Sequence, residues 1–220
     1  MRLLAVDTAL GACSCAIMQD ERILAHRFEI MARGHAERLA PMVDEAMRET
    51  GLAFGDLQRL AVTTGPGTFT GQRVGLAFMR GLRVALKIPL TGITTLEAMA
   101  TAAIAETNIA YGAALHDAKR NEVYFEVLHE DQTLIPSTIA TFEDAMIAIS
   151  DATQNAKLAF AGTAAEAGAM KYPGEAVVSG VHQPDALWVA RIARTREASS
   201  EAPKPLYLRP PDAKLPVQKQ

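Results

Sequence analysis

The sequence predicts an α/β protein built as two similar lobes of mixed sheet covered by helices, and three observations carry that prediction. Apolar segments of strand length alternate along the chain with longer segments whose apolar residues recur at helical spacing. Their order, three strands, helix, strand, helix, strand, helix, occurs twice. An aspartate stands just after the first strand of each copy, Asp7 and Asp117.

In the first copy LLAVDTA, ACSCAIM and RILAHRFEI read as strands. Cys13 and Cys15, two apart in the second, share a face without disulfide geometry and read as buried thiols. A helix from about Gly34 to Thr50 follows, with a wide apolar arc of Leu39, Met42, Val43, Ala46 and Met47. RLAVTTG is a strand that must stop at Gly65-Pro66-Gly67, where two glycines permit positive φ or close backbone approach and Pro66 fixes its own φ. Thr68 or Thr70 caps the next helix, from about Thr70 to Leu86. Val74, Phe78, Gly81, Leu82 and Ala85 form one stripe on it, and Arg73, Arg80 and Lys87 another. Its small residues Gly71, Gly75, Ala77 and Gly81 suggest close backbone approach, because each Gly costs about 1 kcal/mol relative to Ala. Strand PLTGI and a helix from about Thr95 to Glu106 complete the copy.

The second copy reads IAYGAAL, EVYFEVL and TLIPSTI as strands, then helix 142–150, strand KLAFAG, helix 164–170, strand AVVSG and helix 185–196. These elements divide the chain into lobes 1–106 and 107–200 and an extension 201–220. In the extension, Tyr207 and Leu208 tether the chain to the body, Arg209 is left for an ion pair or a partner, and the tail after Pro210 and Pro211 reads as flexible.

At 220 residues with 49% apolar content, the chain has ample material for a core. No apolar run reaches a membrane span and the amino terminus is too charged for a signal peptide, so the expected location is the cytoplasm. A net charge of −3 offers no electrostatic footprint for nucleic acid acting on the chain alone. The Gly67 to Gly71 spacing is one residue short of a P-loop, and Gln72 stands where its lysine belongs. No G-x-S-x-G elbow occurs. His26, His116, His129 and His182 lack spaced ligand partners, and His35 is followed at i+4 by Leu39, which suits a polar interface or capping role.

The duplicated layout is that of the actin, Hsp70 and sugar-kinase superfold, in which nucleotide sits between the lobes. Asp7, Gly65, Gly67 and Asp117 are the weak nucleotide candidates here. For Asp7 a hairpin-turn role and a nucleotide role stand level, since DTALGACS has only Gly11 for backbone approach to phosphate. For Asp117 the turn DAKRN is the better reading. On this basis an ATPase or small-molecule kinase using the cleft is the alternative function.

GPGTFTGQRVGLAFMRGL (residues 65–82), with LLAVDTALGACSCAI, GHAERLAPMVDEAM, DAKRNEVY and YLRPPDA, resembles the TsaB family, also called YeaZ. The resemblance spans nearly the full length. It implies a noncatalytic subunit of the machinery that places threonylcarbamoyl on N6 of adenosine 37 in tRNA. In that family the partner is the catalytic TsaD, the ATPase TsaE joins the pair, tRNA is met through the complex, and a homodimer also forms. TsaD-type relatives carry a metal-binding His-x-x-x-His in PLxGVNHxEGHL. The matching stretch here is PLTGITTLEAMA, with Thr95 and Met99 at the histidine positions, so neither a metal nor another cofactor is expected, and a glycoprotease activity finds no support. The resemblance also implies that the two long helices of the first lobe face the partner. His35, Leu39, Met42, Val43, Ala46, Met47, Arg73, Val74, Ala77, Phe78, Arg80 and Gly81 are the expected interface residues.

Overall fold

The computed structural model describes residues 1–197 and 201–209. The tail beyond, including Pro210, Pro211 and the end of YLRPPDA, lies outside the described residues. Strands β1 (Arg2–Asp7), β2 (Ala12–Gln19), β3 (Arg22–Ile30), β4 (Arg59–Thr63) and β5 (Leu90–Ile93) form one sheet in the order β3-β2-β1-β4-β5. Strands β6 (Tyr111–Asp117), β7 (Glu122–His129), β8 (Gln132–Thr141), β9 (Leu158–Ala161) and β10 (Ala176–Val178) form the other, in the order β10-β9-β6-β7-β8. Read from the opposite edge, the second order repeats the first. In both sheets the first three strands are an antiparallel meander and the last two add in parallel. Each parallel addition needs a crossover, which is why a helix precedes β4, β5, β9 and β10.

Helices α1 (His35–Thr50) and α2 (Phe69–Leu86) cover one face of the first sheet, where Leu4, Val6, Cys13, Cys15 and Ile17 meet Leu39, Met42, Val43, Leu76 and Met79. Helices α4 (Phe142–Thr153) and α5 (Ala165–Lys171) cover the corresponding face of the second sheet around Leu115, Phe125 and Phe160. Both cysteines are buried free thiols, and burial pushes each up to about 12.

The last helix of each copy crosses over. α3 (Thr95–Thr107) packs on β6, β7 and β9 of the second sheet, whereas α6 (Ala186–Thr195) packs on β1, β2 and β4 of the first. The sequence boundary at 106/107 therefore separates the repeats but not the packing units. Composition explains why α3 can sit in the middle: Leu96, Ala98, Met99, Ala100, Ala102 and Ala103 are buried around much of its circumference, so it has no strongly polar side to keep in water. α6 instead buries one stripe, Ala186, Val189, Ala190 and Ala193, against Leu3, Ala5, Met18 and Ala61. Small side chains on both helices let the two sheets close around them.

The five apolar positions of α1 expected at an interface are corrected by this packing. Leu39, Met42, Val43, Ala46 and Met47 are all 2% exposed or less and belong to the core beneath their own sheet. An arc facing β2 and β3 is needed to bury the sheet, and nothing of it is left over for a neighbour.

Candidate functional site

The β4–α2 turn is built on the neighbouring β1–β2 turn. Gly65 has φ 106 and the Gly65–Pro66 peptide is cis. Thr68 caps α2, its hydroxyl accepting the Gly71 amide hydrogen at 3.1 Å, and its own amide donates to the Ala9 carbonyl at 2.8 Å. A Cβ on Gly67 or Gly71 would lie 2.3 Å from the Ala9 or Thr8 carbonyl oxygen, so both glycines answer a close backbone approach. Thr8 completes the joint. Its hydroxyl donates to the Gly71 carbonyl at 2.7 Å and accepts the Gly75 amide at 3.0 Å. Gly65 contributes its carbonyl to the Thr95 amide at 2.9 Å, and Thr95 donates from Oγ1 to the Pro66 carbonyl at 2.7 Å. Thus Gly65 and Gly67 hold elements of this chain together.

Asp7 is fully buried at the end of β1. Its Oδ1 accepts from the Thr63 hydroxyl at 2.5 Å and the Ala9 amide at 3.2 Å, while Oδ2 has no partner. Burial pushes its pKa up from 3.8 to about 7, opposed by the Thr63 and Ala9 hydrogen bonds. The Ala9 bond is a contact to the β1–β2 turn, made by a carboxylate closed off from solvent. Asp117 takes the turn role: it is exposed, and accepts the Lys119 amide and ammonium, both at 2.8 Å, which hold its carboxyl below the usual range. Lys119, Arg120 and Asn121 all have positive φ, as that tight connection demands.

Two side-chain contacts tie the first repeat to the segment leading into α6, and one of them is made by Gln183, a residue the sequence reading did not single out. Gln183, just before α6, accepts the Gly11 amide hydrogen at 2.8 Å, and its carboxamide lies over the Gly11 Cα. His35 Nε2 bonds the Leu10 carbonyl at 3.0 Å, so this histidine ties α1 to the same turn. His26 Nε2 lies 2.8 Å from Asp185, whose Oδ1 also caps α6 through the Leu187 amide. His116 is buried with Nδ1 unpartnered, and burial lowers its pKa to about 4. Asp185 could have been read as a helix cap from its place before an apolar run; Gln183 and Gly11, 172 residues apart, leave no sequence signal.

Thr95 and Met99 are completely buried. Glu97 between them is paired with Arg196, whose guanidinium reaches both carboxylate oxygens. Among the described residues no three His, Cys, Asp or Glu side chains converge as metal ligands. No helix among them is long and apolar enough to cross a membrane.

The extension is a strap across both lobes. The Arg80 guanidinium donates to the Pro203 carbonyl, the Leu206 amide donates to Thr64 at 2.8 Å, and Arg73 Nε donates to the Tyr207 hydroxyl at 2.9 Å. Tyr207 also stacks on Phe69 with 5.7 Å between ring centroids. Arg209 donates to the Ala118 carbonyl at 2.9 Å and pairs with Glu122, so it is engaged within the chain. Arg73 and Arg80, expected to face a partner, bind this strap instead.

What stays open is the outer side of α1 and α2. Ala36, Ala40 and Pro41 are exposed on α1; Ala77, Gly81, Val84 and Ala85 are exposed on α2, Val84 at 72%. Val74 and Phe78 are half-buried, packed against the core from the edge of that surface. A Cβ on Gly81 would meet nothing within 4 Å, so no contact of this chain calls for a glycine there.

Duplicated sheets and exchanged helices define an actin-like two-lobed fold. A family model described as TsaD: tRNA N6-adenosine threonylcarbamoyltransferase matches residues 28–210. The tRNA threonylcarbamoyladenosine biosynthesis protein TsaB of Escherichia coli is 38% identical over 132 residues, covering 60% of this chain and 57% of that protein. An uncharacterized Mycobacterium bovis protein is 35% identical over 215 residues, 96% of this chain and 93% of the relative. A Pseudomonas aeruginosa crystal structure, described as an uncharacterized protein with similarity to peptidase YeaZ, aligns with a TM-score of 0.79 at 29% identity, covering 94% of this chain and 99% of that one. Component A of the (R)-2-hydroxyglutaryl-CoA dehydratase of Acidaminococcus fermentans shares the fold, with a TM-score of 0.52 at 12% identity over 88% of this chain and 99% of that one. The chain belongs to the TsaB (YeaZ) family.

Proposed function

We propose that this chain is a supporting subunit in the synthesis of N6-threonylcarbamoyladenosine in tRNA, docking a TsaD-like catalytic subunit through the outer side of α1 and α2. The names of its TsaB relatives support the pathway. The observation that carries the docking role is the exposed run of small and apolar residues, Ala36, Ala40, Pro41, Ala77, Gly81 and Val84, on two adjacent helices of one lobe. Short side chains let a second helix pair approach to backbone distance, and Gly81 costs this chain helix stability without any packing return inside it. A stable contact of this kind buries about 800 Å² per partner.

The chain supplies a rigid face, and the chemistry belongs to the partner. Thr95 and Met99 support that division, because a buried hydroxyl bound to Pro66 and a buried thioether stand where catalytic relatives hold metal. Gln183 on the Gly11 amide weighs against an ATPase reading of the cleft, since that amide is spent within the chain. A TsaE-like ATPase joins the pair, and tRNA is bound by the assembled complex, as the net charge of −3 suggests. With its partners absent, the same face pairs two copies of this chain.

Reconstitution of tRNA modification with TsaD-like and TsaE-like proteins tests the proposal. Activity should fall to background when this chain is omitted and return when it is restored. Undiminished modification without it would refute a supporting role, and turnover of Mg-ATP by the purified chain alone would refute the noncatalytic reading.

A further inference from the structure

A second feature has nothing to do with the α1–α2 face. Where α3, α6 and the β7–β8 turn meet, they line a pocket of about 320 Å³, open to solvent on one side, to which both repeats contribute. Its wall carries two guanidinium groups, Arg191 and Arg196, and three carboxylates, Glu97, Glu130 and Asp131. Buried Leu128 and half-buried Ile192 add apolar surface. Glu97 and Arg196 pair with each other, the guanidinium reaching both carboxylate oxygens, and so compensate one another. The rest do not. Arg191 lies over the Trp188 ring at 4.4 Å, and neither it nor Glu130 nor Asp131 forms an ion pair among the described residues.

We propose that this cavity binds a small zwitterion, an α-amino acid with a short apolar side chain. Its carboxylate faces Arg191, its ammonium faces Glu130 and Asp131, and its side chain lies on Leu128 and Ile192. A ligand with one charge can meet the guanidinium or the carboxylates but not both, whereas an amino acid presents a charge of the right sign to each along its own length. The volume stands at the small end of ligand cavities, which suits a ligand of this size. Arg191 is already oriented by Trp188, so less of its rotamer freedom remains to be lost on binding. Because α3 and α6 are the exchanged helices, a ligand here touches both repeats.

Amide chemical shifts of the full chain, titrated with L-2-aminobutyrate, butyrate and sec-butylamine, test the site. These probes share the carbon skeleton and differ in whether they carry both charges, the carboxylate alone or the ammonium alone. Saturable shifts at Thr101, Leu128 and Ile192 are expected with L-2-aminobutyrate, at a half-saturation about tenfold below that of either single-charge probe. Arg191→Ala and Asp131→Asn, both at exposed positions, should each raise that half-saturation about tenfold while leaving the remaining spectrum in place. Equal responses to the three probes, no saturation with L-2-aminobutyrate, or unchanged binding in both variants would overturn the proposal. The titration uses no partner protein, so its failure says nothing about the docking role.

Discussion

Thr8 and Gly71 are locked face to face. The Thr8 hydroxyl donates to the Gly71 carbonyl at 2.7 Å, and the Thr8 carbonyl oxygen would sit 2.3 Å from any Cβ added to Gly71. Backbone cannot swing aside as a long side chain can, so Gly71→Ala is expected to cost about 1–3 kcal/mol. Gly81→Ala, on the same helix with open space around it, should stabilise the isolated chain by up to about 1 kcal/mol. Urea unfolding of both variants checks the pair; a neutral Gly71→Ala would show that the joint yields.

Asp7 gives stability a pH dependence of calculable sign. Its pKa is about 7 in the folded chain against 3.8 for the free side chain, so between those values the folded state keeps a proton that the unfolded state releases. The stabilisation from this group is complete below about pH 4 and is lost as pH rises toward 7, a swing on the order of 4 kcal/mol at most. Asp7→Asn removes the titration. Its unfolding free energy should vary less between pH 4 and 7 than that of the parent, and two parallel curves would contradict the buried proton.

Core and proposed docking surface on the two long helices are expected to separate by substitution. Met42 is 0% exposed, so Met42→Asp places an unpaired charge in the core and should leave the chain unfolded or nearly so. Val84→Asp, at 72% exposure, should unfold within about 0.5 kcal/mol of the parent and yet abolish co-elution with a TsaD-like partner. Retained co-elution of a folded Val84→Asp chain would move the interface elsewhere.

The strap is expected to open as a unit. Tyr207→Ala removes the ring stacked on Phe69 and the acceptor for Arg73, interactions worth roughly 1 kcal/mol together. Exchange of the Leu206 amide, bonded to Thr64, should quicken severalfold while amides of β1 and β4 keep their protection. Unchanged exchange at Leu206 would mean that Arg80 and Arg209 hold the strap without the ring.

Nearly every strand and helix could be read in advance, because each carries its own period and its own stop. The break at Gly65-Pro66-Gly67 and the cap at Thr68 are local facts, legible from a few neighbouring residues. The candidate site was less legible. An apolar arc of Leu39, Met42 and Met47 looks the same whether it meets a sheet or another protein, and Arg73 and Arg80 look like surface cations until a strap from 123 or more residues away lies beneath them. Glu97, by its position merely an acidic residue in the first turn of α3, is one half of a bidentate pair with Arg196.

By itself the sequence determined the two repeats, the punctuation between their elements and the family to which they belong, since all of these rest on short-range pattern. Which sheet α3 and α6 would cover was decided only in three dimensions. Both helices follow the last strand of a repeat, and an alanine-rich helix fits either sheet; the choice is made by the volume left when both sheets are in place. The same packing buried Asp7, set Gln183 on Gly11, and left Ala36, Ala77, Gly81 and Val84 facing outward.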